Sequence, residues 1–127
     1  MTFSVGYQLA DHGDEPFGAL LHAFREHVTE LYFPYPGHPS GRSPVGGRDH
    51  VSEDAWTQFI CDLQQARSLG IRLDLLLNAN CYGGRAISRD LQASVGEMLE
   101  SLHGAGCMPS VVTTASPAVA ITLKRLD

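Results

Sequence analysis

Apolar positions along the chain alternate between short continuous runs and longer stretches with helical spacing. The short runs cover residues 3–9, 30–33, 71–79 and 110–114, and each has the length of a β-strand. Between them, apolar side chains recur every three or four residues over about 17–28, 53–69, 89–102 and from 117 onward. That spacing lines one side of an amphipathic helix. The pattern therefore predicts the element order β-α-β-α-β-α-β-α.

Residues typical of helix starts support all four helices. Pro16 suits the first turn of the first helix, and Asp14 or Glu15 can cap it. Ser52 precedes the second helix, and Ser88 or Asp90 precedes the third, where a side-chain oxygen can accept a hydrogen bond from a free backbone N–H group. Ser116 is followed by Pro117, and proline suits the first helical position because its φ angle is already helical. We expect the second, third and fourth helices to begin at these residues.

The alternation predicts an α/β fold with a parallel sheet, because parallel neighbours need a crossover connection. The third run is nearly continuous in apolar residues over 73–77, which is typical of a strand covered on both faces. Two architectures fit a single domain spanning 1–127. One is a complete, open, doubly wound sheet, and the other is the first half of a (β/α)8 barrel. No glycine-rich phosphate loop follows the first strand, which argues against dinucleotide binding.

Charge, cysteine content and the length of apolar runs indicate which partners and cofactors to expect. The formal net charge is -5 and the basic residues are scattered, so we expect no nucleic-acid partner. The three cysteines contain no CxxC pair, which fits a reduced, cytoplasmic setting and predicts neither a metal site nor a complete iron–sulfur ligand set. No apolar run approaches ~20 residues and the start of the chain lacks a leader pattern, so we expect no membrane partner.

Candidate functional residues follow the predicted strands, because in parallel α/β folds the loops after the carboxyl ends of strands form the site. Two amides, a thiol, a phenol and two glycines stand directly after the third strand. An arginine lies in a long proline-rich loop at 33–44, and hydroxyls follow the fourth strand. Each has a plainer interpretation as a loop, capping or packing residue. We predict that a polar substrate is bound by Asn78, Asn80, Tyr82, Arg42 and Thr114, with Cys81 as a nucleophile.

The first loop crowds several acidic residues and a histidine, Asp11, His12, Asp14 and Glu15, into a short stretch. Carboxylates with histidine can bind a divalent metal. A solvated loop that caps the first helix is the commoner explanation, so no residue is predicted as a metal ligand.

The string Asn-Ala-Asn-Cys-Tyr-Gly-Gly at 78–84, within 73–88, resembles the N-terminal part of U32 peptidase-family (collagenase-like) TIM-barrel proteins, in particular an uncharacterised bacterial branch. Supporting matches lie at 5–8, 32–42, 112–114 and 116–117, so the resemblance runs along essentially the whole chain. It implies four consecutive β/α units of a barrel and a hydrolase-like site that takes a small polar or peptide-like substrate. Iron–sulfur ligands of such proteins lie in the second half of the barrel, which this sequence does not contain.

A half-barrel has two unpaired strand edges, which invite pairing with another chain. We therefore expect either self-association or a separately encoded second half-barrel. The alternative function is a non-catalytic accessory or assembly subunit that needs the second half. A truncated product of unknown function is a third interpretation.

Overall fold

A computed structural model of the chain describes residues 1–38, 40, 51–78 and 88–127. It contains four strands: β1 (Phe3–Gly6), β2 (Val28–Pro34), β3 (Arg72–Leu76) and β4 (Val111–Thr113). Four helices alternate with them: α1 (Phe17–Ala23), α2 (Glu53–Ser68), α3 (Arg89–Gly104) and α4 (Pro117–Leu126). The predicted element order is confirmed.

The predicted starts of α2, α3 and α4 are also confirmed, whereas α1 begins directly after Pro16 and is not capped by a side chain of Asp14 or Glu15. The side-chain oxygens of Ser52, Ser88 and Ser116 accept hydrogen bonds from the N–H groups of residues 55, 91 and 119. Of the two candidates for α3, Ser88 is the cap and Asp90 lies in the first turn. An acid there also interacts favourably with the helix dipole.

The four strands form one parallel sheet in the order β1-β2-β3-β4. Crossovers between parallel strands are right-handed, so neighbours joined in sequence place all of their helices on the same face of the sheet. This is the arrangement of four consecutive units of a (β/α)8 barrel. A doubly wound sheet would instead reverse its strand order and carry helices on both faces.

One hydrophobic core lies between the sheet and the helices. Alternate strand side chains enter it, and Phe59 of α2 lies at its centre with no exposed surface. The Phe59 ring lies 5.3 Å from that of Tyr7 and 5.7 Å from that of Phe33, both edge-on. Core members at most 2% exposed include Leu31, Phe33, Leu73, Leu75, Phe59, Leu63, Val95, Leu102 and Val119.

The end of the first helix differs from the sequence-based expectation, and the covering of the third strand agrees with it. The first helix was predicted to reach residue 28, but α1 ends at Ala23 and Val28 opens β2, where it pairs with Phe3. The Val28 side chain is buried, as the helical spacing predicted, but it enters the core between sheet and helices from a strand. The third strand was predicted to be covered on both faces, and its burial confirms this: Leu73 and Leu75 are buried on the helix side, and Asp74 and Leu76 on the opposite side.

Candidate functional site

The face of the sheet opposite the helix core carries a set of polar side chains. Strand side chains alternate between faces, and the strand register aligns Ser4 with Glu30 and Arg72, then Tyr32 with Asp74, and finally Leu76 with Thr113. We call this surface the helix-free face, since no described helix packs on it. Its residues are Ser4, Gly6, Glu30, Tyr32, Pro34, Arg72, Asp74, Leu76, Val111 and Thr113.

At the amino-terminal end of this face, Glu30 links three strands. The Ser4 hydroxyl donates to Glu30 Oε1 at 3.1 Å, and Arg72 Nε donates to Glu30 Oε2 at 2.7 Å. The Glu30 side chain is 14% exposed, but that of Arg72 is 58% exposed. A pair this open to solvent contributes little stability. Together, Ser4 and Arg72 supply a hydrogen-bond donor to each carboxylate oxygen of Glu30.

Asp74 is the unusual residue of the helix-free face. It is 6% exposed, although it lies on the face without helices. The Thr113 hydroxyl donates to Asp74 Oδ2 at 2.7 Å. Asp74 Oδ1 is enclosed and has no hydrogen-bond partner, and within the described ranges it is the one buried side-chain oxygen or nitrogen in that condition. Buried polar atoms normally have partners, so this oxygen needs an explanation.

The surroundings of Asp74 make its carboxylate easier to protonate than that of an exposed aspartate. Burial raises the pKa of Asp74 above its ordinary value, and the nearby Glu30 carboxylate raises it further. The Thr113 hydrogen bond and the Arg72 guanidinium act in the opposite direction without cancelling the rise in pKa. A carboxyl group held in this way can accept a hydrogen bond when ionised and donate one when protonated.

A second buried carboxyl, Asp62 of α2, lies on the opposite side of the sheet and is fully partnered. Tyr7 donates its hydroxyl to Asp62 Oδ2 at 2.8 Å, and Gln58 donates to Oδ1 at 3.0 Å. Burial, followed by the contact with Asp62, raises the pKa of Tyr7 well above its ordinary value. This pair ties the end of β1 to α2 and has a structural role.

Two of the predicted substrate-binding residues are described by the structure, Asn78 and Thr114. Asn78 lies just past β3, is half-buried, and forms no hydrogen bond with the described residues. The Thr114 hydroxyl donates to the Leu77 carbonyl at 2.8 Å and accepts from the Ser116 N–H group at 3.0 Å. Thr114 therefore joins the ends of β3 and β4, and its contact with substrate stays a prediction.

The remaining predicted site residues, Arg42, Asn80, Cys81 and Tyr82, lie outside the described residues. Of the other cysteines, Cys61 is an exposed free thiol and Cys107 a buried one. Burial raises the pKa of Cys107, which lowers the reactivity of its thiol.

The first loop does not assemble a metal site. All four of its candidate ligands, Asp11, His12, Asp14 and Glu15, are exposed. Nowhere among the described residues do three His, Cys, Asp or Glu side chains gather as metal ligands would.

Every helix in the described ranges is too short or too polar to cross a bilayer.

Comparisons of the chain with protein-family models, with curated proteins and with solved structures found no match. The relation to the U32 peptidase family therefore stays a hypothesis based on the motif at 78–84. The function has to be argued from the chemistry of the fold itself.

Sequence reasoning missed Asp74 and its partner Thr113. The available signal was a single carboxylate inside the apolar run at 73–77. Charged residues are rarely buried without a partner. An acid in the middle of a buried strand therefore indicates a special position even before the fold is known.

Proposed function

We propose that this chain binds a small polar or peptide-like ligand on the helix-free face, towards the carboxyl ends of β3 and β4. The observation that carries the proposal is the enclosed, unpartnered Oδ1 of Asp74. Ligands of parallel α/β proteins bind beyond the carboxyl ends of the strands. Thr113 orients the carboxyl group through its 2.7 Å hydrogen bond, and Asn78 supplies an amide just past β3.

The hydrogen-bonding state of this face favours a ligand with an N–H donor, such as an amide or an amine. Glu30 already accepts from Ser4 and Arg72, so Asp74 Oδ1 is the acceptor left over. An unsatisfied buried acceptor costs about 1–3 kcal/mol, which a ligand N–H group would recover. Because this oxygen is enclosed, a ligand reaches it only when the surrounding side chains move.

Chemical-shift mapping tests this proposal. A capped dipeptide and methylammonium serve as probes, and we expect both to shift the amide resonances of residues 74 and 113. Asp74→Asn should weaken the response about tenfold or more, because binding loses a charge-assisted hydrogen bond. Ser4→Ala is the matched control, since it removes a hydroxyl from the same face without touching Asp74. Equal binding by Asp74→Asn and wild-type protein would refute the proposal.

A hydrolytic activity towards peptides, with Cys81 as nucleophile and a cytoplasmic location, extends this proposal. Its support is the sequence resemblance together with the free thiols of Cys61 and Cys107, which fit a reducing compartment. A fluorogenic peptide library tests for the activity. Cys81→Ala should abolish any turnover, whereas Cys61→Ala should leave it unchanged because Cys61 lies exposed on α2.

A second candidate is an assembly role, in which two copies pair their sheet edges. Exposed apolar side chains lie at both edge strands: Phe3 belongs to β1, and Met108 and Leu126 lie near Val112 of β4. Two four-stranded units joined in this way would supply the eight strands of a (β/α)8 barrel. Unpaired parallel edges would then be satisfied in both copies.

Sedimentation velocity over a range of concentrations tests the assembly role. We expect a dimer that Phe3→Ser converts to monomer, because Phe3 is 49% exposed and lies in the edge strand β1. Cys61→Ser is the control. Cys61 is exposed on α2, which connects β2 and β3 and so joins two strands that are not at the sheet edges, and its replacement should leave the dimer intact. A wild-type chain that stays monomeric at every concentration contradicts this role.

A further inference from the structure

A pocket between α3 and α4 lies in the helix layer, on the opposite side of the sheet from Asp74. Its volume is about 280 Å³. The start of α3 contributes Ser88, Arg89 and Gln92, and one face of α4 contributes Thr122 and Arg125. Apart from two apolar contacts on α4, the lining consists of hydrogen-bond donors and two cations.

Both guanidinium groups of this pocket lack an acidic partner. Arg89 and Arg125 are exposed, and neither forms an ion pair or hydrogen bond with a described residue. Asp90 follows Arg89 in the first turn of α3 but does not line the pocket. Two unpaired cations that converge on one pocket repel each other, and a bound anion would relieve that repulsion.

The N-terminus of α3 adds a backbone donor to the same place. The Ser88 cap uses the N–H group of Leu91, and the N–H group of Gln92 bonds to the Ser88 carbonyl. The N–H group of Arg89, a residue of the pocket lining, has no acceptor among the described residues. A free N–H group at the start of a 16-residue helix, together with the helix dipole, favours negative charge.

An independent observation is the hydroxyl of Thr122, a buried residue of α4 that is 9% exposed and lines the pocket. The hydroxyl forms no side-chain hydrogen bond with a described residue. Its oxygen is not among the fully enclosed atoms without partners, so it keeps some accessible surface. A hydroxyl in this state can donate to a ligand in the pocket that its residue lines.

We propose that this pocket binds the phosphate group of a small phosphorylated molecule. Each guanidinium can form two parallel hydrogen bonds to an oxyanion, and Thr122, Gln92 and the free N–H group of Arg89 add further donors. A carboxylate has only two oxygens and cannot occupy this many donors, whereas a phosphate presents at least three acceptor oxygens. The site is separate from Asp74 and does not depend on the function proposed for the helix-free face.

Titration with inorganic phosphate, at constant ionic strength, tests the site, and acetate serves as the carboxylate comparison. We expect phosphate to shift the amide resonances of residues 89, 92 and 122, and acetate to bind at least about tenfold more weakly because it engages fewer donors. Arg89→Gln and Arg125→Gln should each weaken phosphate binding by about tenfold or more.

Two further variants keep the test specific to the pocket. Thr122→Val retains the side-chain shape and should weaken phosphate binding by about fivefold. Lys124→Gln is the matched control, because it removes an exposed cation from α4 outside the pocket, and it should change the affinity less than about twofold. Equal losses in Lys124→Gln and Arg125→Gln would reduce the effect to general attraction by net charge and overturn the proposal. Unchanged resonances at 89, 92 and 122 would also overturn it.

Discussion

Replacement of Thr113 by valine removes the side-chain hydrogen bond that the Asp74 carboxyl group receives. Valine keeps the branched shape of threonine and its preference for a strand. The change removes the hydroxyl that donates to Asp74 Oδ2 at 2.7 Å. Asp74 Oδ1 already lacks a partner, so in the variant no side-chain donor contacts the carboxyl group and only the backbone of residue 113 still favours its ionised form.

The expected cost depends on the charge of Asp74. A hydrogen bond to an ionised group contributes about 1.5–3 kcal/mol, and one to a neutral group about 0.5–1.5 kcal/mol. Thr113 is exposed, so water can partly replace its hydroxyl, and we expect values at the lower end of both ranges. The free energy of unfolding should fall by about 1.5 kcal/mol with Asp74 ionised and by about 0.5 kcal/mol with it protonated.

Urea unfolding at two pH values measures this difference. We compare wild type, Thr113→Val and the control Thr113→Ser at about pH 8 and about pH 4, on either side of the range in which a buried carboxyl titrates. Thr113→Ser keeps the hydroxyl and should retain most of the stability at both pH values. If Thr113→Val loses the same free energy at both, or loses as much in an Asp74→Asn background, the hydrogen bond does not support the carboxylate and the reasoning is wrong.

Three other outcomes follow from buried groups of known surroundings. Because burial raises the pKa of Asp74, wild-type stability should fall as pH rises from the unfolded to the native pKa of this carboxyl, and Asp74→Asn should remove that fall in urea titrations. Tyr7→Phe leaves its carboxylate partner on α2 without a 2.8 Å donor, so thermal unfolding should report a loss of about 1.5–3 kcal/mol. In a Cys81→Ser background, maleimide should label Cys61 within minutes while the buried Cys107 reacts only on unfolding.

The order and type of the elements could be predicted from sequence because each depends on local pattern. Helical spacing of apolar residues and serine caps at 52, 88 and 116 are local signals, and all were confirmed. The end of α1 could not be predicted in this way. Val28 fits the apolar side of a helix as well as a buried strand, and its pairing with Phe3 decides between them.

The candidate sites could not be predicted in the same way, because they bring together residues that are distant in sequence. The sequence places Asp74 in a buried strand, but only the sheet order shows that its side chain faces away from the helices. Its contact with Thr113 joins residues 39 positions apart. Likewise, the convergence of Arg89 and Arg125 depends on how α4 packs against α3, which a single sequence does not reveal.

The most direct test of the central claim is the titration of the Asp74 side chain, followed through its carboxyl carbon resonance with and without the capped dipeptide. Asp74 should titrate above the ordinary pH range of an aspartate side chain, because burial raises its pKa. Its resonance should also move when the dipeptide is added. An Asp74 resonance that titrates in the ordinary range and does not respond to the dipeptide would contradict ligand binding at this carboxyl group.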